Sequence, residues 1–176
     1  MADRLTGKGT IKAVAAGREH VVVGCRNGAV NVLRQSDATV VHTVGGKFSV
    51  ECVALSPDES LAAMGNEAGE VRVFRVPSGE IVGQLPTAHR EAVTATVFVT
   101  NQLLATGSRD GTVRFWVWAN GALSEVFSLR TTGLVIDLAA TRDGTRLAAA
   151  VAGELGVRAW RVDKLRENLV ALGLEP

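Results

Sequence analysis

Four side chains of this sequence are of the types from which a hydrolytic centre is assembled: the imidazole of His89, the hydroxyl of Thr106, the carboxylate of Asp110 and, beside them, the indole of Trp116. A hydroxyl nucleophile, an imidazole base and an orienting carboxylate together perform acyl transfer. That chemistry also needs an exposed hydroxyl and donors aimed at an oxyanion, and the stretch that holds three of the four, LLATGSRDGTVRFW over 103–116, supplies neither. A second chemistry is open to the same groups. A half-buried imidazole, hydroxyl, carboxylate and indole N–H each need hydrogen-bond partners, and they can satisfy one another.

Which chemistry applies depends on the elements that carry these residues. Short apolar runs of four to eight residues, rich in Val and often alternating, fill almost the whole chain: HVVVG, AVNVL, VECVAL, EVRVF, AVTATVFV, TVRFWVW and GVRAWRV among them. Gly, Asp, Asn and Ser separate them, and no sustained 3.6-residue stripe interrupts them, so the pattern is all-β. The runs repeat. GCRNGAVNVLR, GNEAGEVRVFR, GSRDGTVRFWV and the looser AVAGELGVRAWR superimpose, with Val30, Val71, Val113 and Val157 at spacings of 41, 42 and 44 residues and Leu33, Phe74, Trp116 and Trp160 three places further on. LSPDESLAAMG (55–65) likewise matches AATRDGTRLAAA (139–150). Four short strands per period of about 40–45 residues make a propeller blade.

On these residues the chain resembles the WD-repeat family of β-propellers, with the third repeat, from TAHREAV through LLATGSRDGTVRFW, matching the family pattern most fully. The resemblance covers about residues 5–161 and implies blades at about 5–44, 45–87, 88–130 and 131–162. It also implies that His89, Thr106, Asp110 and Trp116 form a structural tetrad: the His before the innermost strand, the Thr on the second, the Asp in the next turn and the Trp on the third. The other repeats depart from it. Gly46 and Thr131 stand at the His position, Asn27 and Ala68 at the Asp position, and Arg34, Arg75, Val117 and Arg161 follow the closing bulky residue where the family has Asp. The expectation is that one blade has a polar pin and the rest rely on apolar packing.

Family geometry places the loop of His89 and the turn of Asp110 on one rim, the face that usually binds partners. The residues it brings there are Arg26, Glu67, Arg109 and Glu154 in the turns, with Lys47 and Arg90 in the entering loops. Such a rim suits an acidic or phosphorylated peptide. A formal charge of +1, from 19 basic and 18 acidic residues, gives no general attraction to nucleic acid or membrane. Cys25 and Cys52 lie in apolar runs and are expected to be reduced packing residues. His20 and His42 are expected on strand faces, and neither a metal site nor a cofactor is expected. Asp58-Glu59 and Asp143-Gly144 are turn pairs, and Gly45-Gly46 is a turn, since no phosphate-loop Lys and helix follow it.

The fourth repeat reaches its third strand and then becomes DKLRENLVALGLEP, with Leu165, Leu169 and Leu172 on one helical face. The expectation is a short amphipathic helix over 163–176, capped by Asp163 and ended by Gly173. In the family the N-terminus often supplies the missing outer strand, but RLT near the start is a weak candidate. Four blades then leave open edges. Pairing of two copies into eight blades, membership of a longer ring, or a closed four-blade ring would each cover them, and the first two are expected. The functional expectation is a non-catalytic, cytoplasmic scaffold for a protein or peptide partner, completed by self-association. The alternative is a regulatory or sensory piece of a larger signalling protein, attached to a kinase or protease.

Overall fold

A computed structural model describes residues 9–119 and 122–171, among which are fifteen strands and one helix. The first sheet contains β1 (Ile11–Ala16), β2 (His20–Cys25), β3 (Val30–Arg34) and β4 (Val40–Val44). The second contains β5 (Val50–Leu55), β6 (Leu61–Asn66), β7 (Val71–Arg75) and β8 (Ile81–Leu85). The third contains β9 (Val93–Phe98), β10 (Leu103–Ser108), β11 (Thr112–Ala119) and β12 (Ala122–Arg130). The fourth has three strands, β13 (Val135–Ala140), β14 (Arg146–Val151) and β15 (Val157–Arg161). Each sheet is an antiparallel meander in chain order, so the chain is all-β and built of propeller blades, as its alternation predicts.

Local chemistry sets the turns. Asp143 Oδ1 accepts from the Thr145 N–H (3.0 Å) and from the Thr141 and Thr145 hydroxyls (2.6 and 2.8 Å), while Gly144 takes the positive φ of 68°. These hydroxyl and amide donors hold the Asp143 carboxyl down at about 2. The matching turn of the second blade uses Asp58 in the same way, but Glu59 stands in the left-handed region, φ 59°, where the fourth blade has Gly. Its side chain does not stay in the turn. The Glu59 carboxylate crosses to the first blade and accepts the N–H groups of Arg18, Glu19 (3.1 Å) and His20 (3.2 Å), with His20 Nδ1 at 3.7 Å. The expectation of an ordinary turn residue is therefore corrected: Glu59 ties two blades together.

Neighbouring blades meet through one repeated contact. Gly24, Gly65 and Gly107 pair with Val30, Val71 and Val113 on the adjacent strand, which puts them at equivalent positions of β2, β6 and β10. Against each lies the first valine of the next blade. A Cβ added at these glycines would come within 2.5 Å of Val50 Cγ1, 2.5 Å of Val93 Cγ1 and 2.4 Å of Val135 Cγ1. Around this peg close the apolar cores. Val22, Val30 and Val32 meet Met64 and Phe74 between the first two blades. Val71 and Val73 meet Leu104 and Trp116 between the second and third. Val113 and Phe115 meet Leu138 and Leu147 between the third and fourth. Each such buried side chain contributes about 1.5–3 kcal/mol.

The helix α1 (Val162–Ala171) begins where a fourth outer strand would start. Val162 is buried and its N–H donates to Thr145 O at 2.8 Å, fixing the helix start against the β13–β14 turn. Asp163 does not cap it: it sits inside the first turn and accepts from Arg161 at 2.6 Å. Leu165 is half-buried. The side chain of Leu169, residues Leu172 and Gly173, and the RLT segment lie outside the described residues. Among the described residues no helix is long and apolar enough to cross a membrane.

The glycine peg generates a direct test. In Gly65→Ala the new methyl collides with Val93 and with Cys52 Sγ (2.8 Å), so urea unfolding should report a loss of about 1–3 kcal/mol. Adding Val93→Ala should destabilise less than the two single changes summed, because the collision disappears.

Candidate functional site

His89, Thr106, Asp110 and Trp116 come together in the third blade. His89 enters just before β9, Thr106 lies on β10, Asp110 in the β10–β11 turn and Trp116 on β11. Trp116 Nε1–H donates to Thr106 Oγ1 at 2.8 Å. The Thr106 hydroxyl is then free to donate only onward, to His89 Nε2 at 2.7 Å. That leaves the imidazole proton on Nδ1, 3.2 Å from Asp110 Oδ2. Asp110 Oδ2 also accepts the Arg90 N–H (3.0 Å), and Oδ1 accepts the Thr112 N–H (3.0 Å) and hydroxyl (2.6 Å). Thr112, whose Oγ1 is 3.1 Å from His89 Nδ1, is a fifth member that the repeat pattern did not reveal.

Electrostatics favour the neutral imidazole. Burial, the largest influence, holds His89 below its ordinary value against the opposing pull of Asp110. Burial pushes Asp110 up, but hydrogen bonds from Thr112 and the Arg90 N–H, together with His89, outweigh it and hold the carboxyl low. As a device this chain of bonds ties the entering loop and the turn to the blade. Thr106 has no exposed surface and its hydroxyl is bonded on both sides, so no substrate reaches it as a nucleophile.

The other blades are not left to apolar packing, which corrects the expectation from their missing tetrads. The residue after each repeat valine is Asn31, Arg72, Arg114 and Arg158. In the second blade Arg72 Nε donates to Glu70 at 2.6 Å and its Nη1 to Gly45 O of the entering loop at 3.0 Å. Glu70 also accepts from Asn66 (2.7 Å) and Gln84 (2.8 Å). In the fourth blade Arg158 Nε donates to both oxygens of Glu154 at 2.9 Å, and Thr132 of the entering loop donates to the same carboxylate. In the first blade Asn31 accepts from Thr43 at 2.9 Å. The Val-Arg step recurs in the sequence at 71–72, 113–114 and 157–158, but only the first and last of these arginines hold such a carboxylate through Nε, so the step alone does not mark a substitute pin.

The candidate rim separates into two groups. Arg26, Lys47, Arg90 and Arg109 are exposed on the end of the sheets that carries the His89 loop and the Asp110 turn. The side chains of Arg26, Arg90 and Arg109 form no hydrogen bond or ion pair among the described residues, and Lys47 Nζ lies 5.3 Å from the Phe48 ring. Glu154 is taken by Arg158, and Glu67 Oε1 accepts the Ser49 N–H at 3.3 Å. Glu154 thus serves its blade, while Glu67 is exposed, so the outward charge of the rim is four basic residues against one acidic. Cys25 and Cys52 are free and buried, with burial pushing both thiols up. Among the described residues no group of three His, Cys, Asp or Glu is placed to hold a metal ion.

His89→Ala should cost about 2–3 kcal/mol, since it strands the Thr106 hydroxyl and one side of Asp110. The sign of the pH dependence follows from the depressed value of His89. Its contribution is complete above the unfolded value of about 6.5 and is lost as pH falls through that range, because the unfolded chain takes up a proton that the fold resists. The thermal midpoint should therefore fall between pH 7 and pH 5, and less steeply in His89→Gln. Glu70→Ala leaves the Arg72 guanidinium largely buried without its carboxylate and should cost about 3–5 kcal/mol in the same measurement.

Residues 53–138 match the family described as the anaphase-promoting complex subunit 4 WD40 domain. Periodic tryptophan protein 2 of Arabidopsis thaliana is 30% identical over 127 residues, covering 72% of this chain and 14% of that protein. The chain therefore spans a small part of that relative's length. The solved structure of U3-55K superimposes with a TM-score of 0.80 at 21% identity, over 91% of this chain and 51% of the other. The computationally designed Ika4 protein superimposes with a TM-score of 0.73 at 21% identity, over 92% of this chain and 99% of the other. With four registered repeats, propeller blades and one complete tetrad, the chain belongs to the WD-repeat family.

Proposed function

We propose that this chain is a non-catalytic protein-interaction module whose open blade faces are covered by those of a second copy. The observation that carries the reading is the likeness between those faces and the internal joints. Val157 occupies on the fourth blade the position of Val113 on the third, yet it is 69% exposed where Val113 is fully buried. Ile136, 53% exposed, takes the place from which Thr94 bonds Val135 O of the next blade. At the other end Ile11 and Val14, 43% and 61% exposed, hold the positions of Val50 and Val53, which are buried. One end offers the surface of a preceding blade and the other that of a following blade, so two copies joined head to tail bury both.

The joint between copies differs from those within a copy. Ala150 stands at the glycine position of the peg and Ile11 at its valine position, so the contact is less deep. Light scattering at tens of micromolar should give twice the chain mass. Val157→Asp should return the monomer without unfolding it, and Ala150→Gly should tighten the pair. A monodisperse wild-type monomer overturns the pairing.

Membership of a larger signalling protein is the second reading, supported by relatives of which the matched stretch is a small part. For either reading we place the protein in the cytoplasm, a setting that suits two free thiols.

A further inference from the structure

In the second and fourth blades the repeat arginine grips a carboxylate of its own blade through Nε: Arg72 holds Glu70, and Arg158 holds Glu154. The third blade has the arginine without that carboxylate. Thr112 occupies the position equivalent to Glu70, two residues before the arginine, and its hydroxyl is committed to Asp110. Arg114 Nη1 reaches Glu125 at 2.9 Å, but Arg114 Nε is buried with no partner. An orphaned, charged donor of this kind is costly unless something accepts from it.

Nε itself has no exposed surface, but Arg114 lines a pocket of about 180 Å³ together with Arg90, Arg130, Thr112, Thr131 and Asp110. The side chains of Arg90 and Arg130 form no ion pair among the described residues. Both oxygens of Asp110 are engaged by His89, Thr112 and the Arg90 N–H, so its carboxylate forms no ion pair with either arginine, although its charge remains in the lining. The lining holds three guanidiniums against one engaged carboxylate. Its size excludes a drug-sized ligand and suits a single oxyanion.

We propose that this pocket is an oxyanion-binding site, filled by a phosphate group carried on a side chain of a protein partner, in the place where the second and fourth blades supply their own glutamate. Arg114 is paired with Glu125, which leaves Arg90 and Arg130 as two guanidiniums without a carboxylate partner among the described residues. The three oxygens of a phosphate can accept from both, where a carboxylate's two oxygens are filled by one. Guanidiniums bind its oxygens by charge-assisted, often bidentate hydrogen bonds. This deepens the reading of the chain as an interaction module and rests on it for the protein origin of the phosphate.

The test is a titration of the full chain, followed by NMR, with three probes: inorganic phosphate, a glycine-flanked phosphoserine peptide and the same peptide with Glu. The phosphoserine peptide should bind at least tenfold more tightly than the Glu peptide and should shift the signals of Arg114 and Thr131. Arg130→Gln, an exposed change remote from the core, should weaken it at least tenfold, and Arg114→Gln should do so more. Arg142→Gln, in the β13–β14 turn at the opposite end of the sheets, should leave it unchanged. No saturable binding at millimolar probe, binding indifferent to Arg130→Gln and Arg114→Gln, or preference for the Glu peptide overturns the proposal. Inorganic phosphate binding as tightly as the phosphoserine peptide overturns the peptide origin. Light scattering on the same sample reads self-association independently, so a failed pocket and a failed pairing are told apart.

Discussion

The close approach of a valine to a glycine at each blade boundary is the constraint on which the rest of the structure depends. A single blade has two apolar faces and cannot bury either alone. Packing at van der Waals distance between twisted sheets requires one side to give way, and here β2, β6 and β10 give way by lacking a Cβ at Gly24, Gly65 and Gly107. Val50, Val93 and Val135 enter those gaps and lose their exposure entirely. Large side chains then close around the peg, such as Phe74 at one boundary and Phe115 stacked on Phe127 at another, with ring centroids 4.1 Å apart. Interiors packed this tightly do not absorb an added methyl, so the angle between blades is fixed by the residues of smallest volume.

Once the blades are set, the entering loops must be held to the turns they pass, because both carry backbone groups removed from water. The third blade does this with a neutral relay that runs from the Trp116 indole to the Asp110 carboxylate. The second and fourth do it with an arginine and a glutamate. These two solutions have different costs. The neutral relay buries one charge, at its solvent end, whereas Arg72 and Glu70 bury a pair that needs further partners: Asn66 and Gln84 donate to the Glu70 oxygens, and the Gly45 carbonyl accepts from Arg72. Having the repeat arginine in a blade that already has the relay leaves Arg114 with a donor to spare.

The strand pattern, the repeat and the residues of the tetrad were legible in the sequence because each is a local signal. Alternation reports which face of a strand is buried, a conserved spacing between valines reports a blade, and His89, Thr106, Asp110 and Trp116 are of polar types that stand out in an apolar background. The substitute pins were not legible in that way. Glu70, just before β7, and Arg72, on it, lie two residues apart and look like solvated surface charges, and nothing in SPDES indicates that Glu59 leaves its own turn for the amides of residues 18–20. Asp163 was misplaced for a similar reason: it has the chemistry of a cap, but Val162 is drawn into the fold by the Thr145 carbonyl, and the helix starts there.

By itself, then, the sequence determined the all-β architecture, the number of repeats and the single blade able to form the His–Thr–Asp–Trp relay, since these follow from side-chain period and from residue type. Only the tertiary structure decided which charges are used up within the blades and which remain to meet a partner. Glu154 and Arg90 are both charged residues beside turns, but one is clasped by Arg158 and the other points outward from the rim. The physical reason is that a charge is neutralised by whatever lies within a few ångströms of it, and in a meander of strands those neighbours come from positions that local sequence does not specify.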